Sequence, residues 1–134
     1  MRALFLKLAV FVLLFVGVQK DAMAQDEKLY DFVTLETPPN YPGGMVNFYK
    51  LIGNNIKYPE AAKKNNVEGI VFVSFIIEKD GSLSNVAVKR TLGYGTDEEA
   101  VRVLKLSEKW NPGMQNGKVV RVMYNIPIKF SNKK

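Results

Sequence analysis

Acidic side chains are the densest candidates for chemistry in this sequence, and they cluster at Asp97, Glu98 and Glu99. A pair of carboxylates can act as general acid and base when their environments separate their pKa values. Acidic residues are equally favoured in the first turn of a helix, where they interact with the helix dipole. Because Thr96 and Glu99 have the spacing of a Thr-x-x-Glu capping box, we interpret the cluster as a helix start.

Other catalytic chemistries lack their usual partners in this chain. Its 134 residues include no histidine and no cysteine, which removes the common zinc ligands and the usual activator of a serine nucleophile. The glycines at 43–44 and 93–95 lack the spacing of a nucleotide-binding loop and are interpreted as turn residues. We therefore predict no enzyme, no cofactor, no metal and no small-molecule substrate, with a serine hydrolase as the weakest alternative.

The first 24 residues have the organisation of a secretory signal. Arg2 and Lys7 precede an apolar run at 8–18, and Ala22-Met23-Ala24 is a small-x-small cleavage pattern. The run is shorter than the roughly 20 apolar residues that a membrane-spanning helix needs. We predict cleavage after Ala24 and a periplasmic protein, and an uncleaved inner-membrane anchor is the alternative.

The rest of the chain suits a single domain. The formal net charge is +6 at pH 7, but the basic residues are dispersed and form no patch typical of nucleic-acid binding. No nucleic-acid partner is predicted. Residues 25–40 are interpreted as an N-terminal extension that could hold a short strand at 30–35 before Pro38-Pro39, and residues 41–134 as the domain.

Periodicity predicts the elements of this domain. Apolar residues at Met45, Phe48, Tyr49 and Ile52 indicate one buried face of a helix ended by Gly53-Asn54-Asn55. Pro59 is suited to begin a short second helix, and a third follows Thr96. Apart from Ser74 the run 70–77 is apolar, which indicates a central strand, and Asp80-Gly81 predicts a hairpin into a strand through 86–88. Trp110 is expected to close the core, with its ring N–H on a carbonyl.

The last predicted strand, 119–130, carries the functional clue. Pro127 cannot donate a ladder hydrogen bond, so this strand should lie at a sheet edge. Backbone groups of alternate residues point to opposite sides of a strand, which predicts an open edge at Arg121, Met123 and Asn125. An open edge can accept an extended peptide as an added strand, and Pro127 can also protect the edge against aggregation.

Several motifs resemble the C-terminal domain of TonB, in order and in spacing. The motifs are Tyr41-Pro42-Gly43-Gly44, similar to Bacteroidetes-type members, then Tyr58-Pro59, Gly69 with the strand Val71-Phe72-Val73-Ser74-Phe75, Trp110-Asn111-Pro112-Gly113 and a strand ending Ile126-Pro127-Ile128-Lys129-Phe130. The resemblance covers residues 41–130. It implies an α+β fold in which two to three helices pack on a small three-stranded antiparallel sheet.

The resemblance also implies a partner, since TonB C-terminal domains bind the TonB box of outer-membrane transporters along their last strand. The family uses the region around Tyr-Pro for transporter contact, which here places Asn55, Lys57, Tyr58 and Pro59 at the partner surface. Glutamines that precede Tyr-Pro in well-known members are replaced by Asn55 and Lys57. Two alternatives remain open, namely a structural module that binds cell-wall polymer or envelope protein, and a homodimer through the last strand.

Overall fold

The computed structural model describes residues 28–131, so the predicted signal segment and its cleavage site lie outside the described residues. Strands from the beginning, the middle and the end of the described residues form one sheet, and the helices pack on one face of it. A single turn of 3-10 helix, Phe32–Thr34, follows the first strand. The elements are β1 (Leu29–Asp31), α1 (Met45–Asn55), α2 (Glu60–Lys64), β2 (Gly69–Ile77), β3 (Leu83–Arg90), α3 (Thr96–Leu104), β4 (Gly113–Gln115) and β5 (Lys118–Phe130).

The sheet confirms the α+β class but has more strands than predicted. Its order is β1-β5-β2-β3, with β4 also paired to β5, which makes five strands instead of three. β1 runs parallel to β5 and the other pairs are antiparallel, so the sheet is mixed. β4 exists because Asn116 and Gly117 both adopt positive φ, at 53° and 74°, as a two-residue hairpin turn requires.

The strand β2 is central, as its continuous apolar run predicts. It lies between β5 and β3. Its side chains at Val71, Val73, Phe75 and Ile77 are fully buried on the face that carries the helices. Ser74 and Ile76 on the opposite face are also buried, so both faces are covered near the end of the strand.

Helix α1 buries Phe48 and Ile52 as predicted, but Tyr49 remains 42% exposed and does not join the core. The helix ends at Asn55, within the predicted stop at 53–55, and Gly53 itself is helical. Helix α2 begins directly after Pro59, which is its N-cap residue in extended conformation. Its charges follow the helix dipole, with Glu60 in the first turn and Lys63 and Lys64 in the last.

The predicted capping box of α3 is wrong. The N-cap residue is Gly95, in left-handed conformation, while Thr96 is buried and its hydroxyl donates to the Gly93 carbonyl at 2.6 Å. Asp97 instead accepts hydrogen bonds from the N–H groups of Leu92 and Gly93. Because Gly95 is the N-cap residue, the Glu99 carboxylate is not used in a capping box. It is available to bind a residue outside α3.

Trp110 is the centre of an aromatic cluster. Its ring contacts Tyr41, Phe48, Phe75 and Tyr124, with ring centroids 5.2–6.2 Å apart. These rings come from the segment before α1, from α1, from β2 and from β5. The prediction that the indole N–H donates to a carbonyl is wrong. This buried nitrogen has no hydrogen-bond partner among residues 28–131.

The backbone at Trp110 predicts a strict requirement for glycine at position 81. The Trp110 N–H donates to the Gly81 carbonyl at 2.9 Å, and a Cβ at Gly81 would lie 2.0 Å from the Trp110 oxygen, at φ +86°. We expect Gly81→Ala to lower the free energy of unfolding by about 2 kcal/mol or more, measured by urea denaturation.

The matched control is Gly53→Ala, where an added Cβ meets nothing within 4 Å. Because alanine favours helix over glycine, this variant should be more stable than wild type by about 0.5–1 kcal/mol. Equal stability of the two alanine variants would contradict the requirement at Gly81.

Candidate partner-binding edge

The backbone of β5 has one side committed to β2 and one side available. The pairing with β2 runs without interruption from Val122↔Ile77 to Phe130↔Gly69, and Pro127 lies opposite Phe72. Since proline has no N–H, the Pro127–Phe72 pair belongs to the non-hydrogen-bonded set of an antiparallel ladder. Alternation then directs the backbone groups of odd-numbered β5 residues away from β2.

The upstream half of this outer side is not open. Residues of the predicted N-terminal extension lie along it as β1, with Leu29 opposite Arg121, Tyr30 opposite Val122 and Asp31 opposite Met123. The prediction of an open edge at Arg121 and Met123 therefore needs correction, because the chain supplies its own strand there. The pattern at 30–35 predicted a strand, but the strand is Leu29–Asp31 and Phe32–Thr34 form a 3-10 turn. The pattern gave no indication of the strand's neighbour.

Downstream of Met123 the edge is uncovered. Across residues 28–131, β2 is the only strand that pairs with β5 between Asn125 and Phe130. Asn125, Pro127 and Lys129 are exposed, and their backbone groups face the open side. Of the predicted edge residues, Asn125 is thus the one that lies in the uncovered part.

A small apolar cluster separate from the main core holds the chain that follows β1. Leu35, Val120 and Val122 are buried together, and Tyr30 and Phe32 pack against them. Phe32 also stacks on Tyr124, with ring centroids 4.0 Å apart. Leu29 and Asp31, by contrast, are exposed. β1 is therefore anchored by Tyr30 and by the residues that follow it, while its other two side chains remain exposed.

The side chain of Arg121 is engaged on the sheet face instead of being directed to a partner. Its Nε donates to Glu78 Oε1 at 2.6 Å, and Nη2 donates to Glu78 Oε2 at 3.2 Å. The Ser84 hydroxyl donates to the same carboxylate. The hydrogen bonds from Arg121 hold the pKa of Glu78 below its usual range. This ion pair ties β5 to the β2–β3 hairpin.

The segment around Tyr58-Pro59 is fixed by Glu99. The Glu99 carboxylate accepts the Lys57 backbone N–H at 2.5 Å and two hydrogen bonds from Arg102, at 2.6 and 2.8 Å. Arg102 also donates to the Asn55 carbonyl at 2.8 Å. The hydrogen bonds from Arg102 lower the pKa of Glu99. Glu99, one of the three clustered acidic residues, therefore holds the Lys57 backbone in place.

Tyr58 connects this loop to the end of β5. Its hydroxyl donates to the Val67 carbonyl, and its ring meets Phe130 edge-on with centroids 6.3 Å apart. Met123 lies about 23 Å further up the strand, at roughly 3.3 Å per residue. The structure therefore brings the Tyr58-Pro59 loop to the uncovered end of β5 and keeps it apart from Arg121 and Met123.

Two other kinds of feature are absent from residues 28–131. No group of three acidic side chains there is placed to share a metal ion. In the same part of the chain, every helix is too short or too polar to cross a bilayer.

Comparison with known proteins shows the family to which the chain belongs. The family of Gram-negative bacterial TonB protein C-terminal domains matches residues 54–131, and the chain belongs to this family. The match includes the Tyr58-Pro59 loop and β5 but begins inside α1, and it leaves out β1. No curated protein matches the chain.

Two solved structures are similar over most of their length. Both are solution NMR structures of the Helicobacter pylori TonB C-terminal domain. The one of residues 179–285 has 25% identity and a TM-score of 0.51, covering 67% of this chain and 81% of that one. The one of residues 194–285 has 26% identity and a TM-score of 0.50, covering 67% of this chain and 95% of that one.

Family membership gives the chain a coarse function. Domains of this family are transport-associated and non-enzymatic, act in TonB-type energy transduction at the cell envelope, and interact with TonB-dependent transporters.

The Glu99 contacts predict an acid-sensitive contribution to stability. A carboxylate whose pKa is lower in the folded state stabilises the fold above its unfolded pKa of about 4.3, and loses this contribution as the pH falls through the folded value. We expect Glu99→Gln to lower the free energy of unfolding by about 1 kcal/mol at pH 7. The difference from wild type should vanish near pH 2, as measured by urea denaturation.

Glu60→Gln is the control for this experiment. The Glu60 side chain is 82% exposed and lies 3.8 Å from Lys63, so its removal should change stability little at either pH. A Glu99→Gln effect that persisted unchanged at pH 2 would show that the carboxylate charge is not its cause.

Proposed function

We propose that this chain binds TonB-dependent outer-membrane transporters in the periplasm by taking up a TonB-box segment as an added strand on β5. The observation that carries this proposal is the uncovered edge from Asn125 to Phe130, which lies within the family match. Strand addition needs a row of unpaired backbone donors and acceptors at a sheet edge. Asn125 and Lys129 each offer both kinds of group, whereas Pro127 offers only its carbonyl.

The length of the binding window depends on β1. With β1 in place, a partner strand pairs downstream of Met123, at Asn125, Pro127 and Lys129. Pairing with Arg121 and Met123 as well requires β1 to leave, because both strands need the same backbone groups. The exposure of Leu29 and Asp31 and the short length of β1 favour such an exchange.

The Tyr58-Pro59 loop is the second part of the proposed surface. Its backbone is held by Glu99, so its contribution comes from side chains. Asn55 and Lys57 are exposed, and Tyr58 and Pro59 are half-buried beside the end of β5. We propose that Asn55 and Lys57 contact transporter residues that flank the added strand.

Strand addition predicts a defined NMR response. Titration of ¹⁵N-labelled protein with synthetic peptides that cover TonB-box segments of the source organism's transporters should shift the amide signals of Asn125 and Lys129 first. The reason is that both N–H groups become hydrogen-bonded in the complex. Amides of β3 at the far edge of the sheet serve as the internal control.

Two outcomes would contradict this prediction. Absence of any shift at millimolar peptide would exclude the TonB box as ligand. Amide shifts confined to β3 would show that the peptide binds at the opposite edge of the sheet and not at β5. Sedimentation of the free protein, run alongside, separates peptide binding from pairing of two copies through β5.

The role of β1 predicts tighter peptide binding when it is removed. A chain that starts at residue 32 keeps Phe32 and the Leu35 anchor but lacks β1. If β1 competes with the peptide at a cost of about 1 kcal/mol, its removal should raise affinity about fivefold. Isothermal titration calorimetry against a chain that starts at residue 25 measures this difference.

Amides of Arg121 and Met123 should then join the set that shifts on peptide addition. Val33→Ser, at an 85% exposed position outside β1, should leave affinity unchanged and controls for general effects on this segment. Equal affinity of the long and short chains would show that β1 and the peptide do not compete.

A further inference from the structure

An open cleft of about 380 Å³ borders the uncovered end of β5. Its walls come from α1 and the residue after it, from the start of β2, and from the downstream part of β5. The lining residues that matter here are Tyr49, Gly53, Ile56, Ile70, Pro127 and Lys129.

The chemistry of the cleft is apolar with one positive charge. Tyr49 and Ile70 are among the large apolar side chains left exposed, at 42% and 41%, and both line this cleft. Lys129 is the only charged residue in its lining. Partial burial also raises the pKa of the Tyr49 hydroxyl above its ordinary value. The cleft suits an apolar group next to an acidic one.

Gly53 keeps the cleft open. It lies in the body of α1, where alanine would favour the helix, yet a Cβ built there meets no atom within 4 Å. Helix geometry and packing therefore do not require glycine at this position. The absence of a side chain leaves space between α1 and the end of β5.

We propose that this cleft holds an apolar side chain of the peptide strand that adds to β5, with an acidic residue of the same peptide next to Lys129. The inference rests on the proposed function and adds to it the chemistry of the peptide. Pro127 and Lys129 connect the two features, because their backbone groups face the open edge and both residues line the cleft.

The geometry of an added strand supports this occupant. Successive side chains of a strand point to opposite faces of the sheet, so every second side chain of the guest lies on the helix side. The open edge then fixes the register by hydrogen bonds, and the cleft selects the side chain. Most of α1 lies outside the family match, which begins at residue 54.

The first test fills the cleft without disturbing the fold. Gly53→Leu places a side chain in the open space, and Asn54→Leu places the same side chain at the next exposed position of α1, outside the lining. With the peptide that shifts Asn125 and Lys129, we expect Gly53→Leu to weaken binding at least tenfold and Asn54→Leu to leave it unchanged. Circular dichroism verifies that both variants are folded.

An alanine scan of the peptide supplies the second half of a double-mutant cycle with Gly53→Leu. Alanine replacement of each apolar residue of the same peptide should identify one position whose loss weakens binding to wild type tenfold. That replacement should cause no further loss on Gly53→Leu, because the two changes remove one contact. Lys129→Glu should weaken binding of a peptide that carries aspartate and strengthen binding of the same peptide with lysine in its place.

The outcomes separate the two proposals. If no peptide binds wild type, the proposed function fails. If peptides bind but both leucine variants bind equally well, strand addition stands and the cleft inference is overturned. If wild type self-associates and Gly53→Leu alone abolishes this, the cleft is an interface between copies, which also overturns the peptide as its occupant.

Discussion

The contact between Trp110 and Gly81 is the constraint on which the fold depends. One backbone hydrogen bond brings Trp110, in the segment that follows α3, onto the β2–β3 turn. The two backbones are so close there that no side chain fits at position 81. The indole ring is thereby held in the centre of the core, where it contacts rings from four parts of the chain. Aromatic pairs of this kind bury large areas and have preferred edge-on geometries, so each ring restricts the position of the next.

The partner-binding edge inherits its position from this cluster. Tyr124 contacts Trp110 and Phe75 on the core side and stacks on Phe32, which leads out of β1. Tyr124 therefore contributes both to the core and to the contact that holds the residues after β1. Within residues 28–131, β2 is the only strand that pairs with β5 downstream of Tyr124, and there the outer edge is uncovered.

Sequence patterns predicted the parts of this molecule that obey a single local rule. The two-sided apolar run made β2 central, and Tyr58-Pro59 marked a helix start that identified the family. Pro127 predicted an edge that the structure has only in the downstream part of β5, because β1 pairs with the upstream part. Predictions failed where a residue of one element was used by a distant one. Glu99 has the spacing of a capping box but fastens the Lys57 loop, and β1 has the pattern of a strand but no mark of the strand that it joins.

The structure departs from the prediction at Tyr49 and Gly53 for a related reason. Helical spacing cannot distinguish an apolar side chain that faces the core from one that faces an open cleft, and glycine within a helix reads as a stop signal. Only the packed structure shows that α1 continues through Gly53 and leaves Tyr49 exposed.

The missing N–H of Pro127 has a consequence for self-association. If two copies paired their β5 edges about a two-fold axis, each would face the other with the same gap, and the dimer would forgo two hydrogen bonds of about 1 kcal/mol each. A foreign strand meets the gap once, and can place there a residue that has no need of the bond. Pro127 thus disfavours a symmetric dimer through β5. The same edge is better suited to a different peptide than to a second copy of β5.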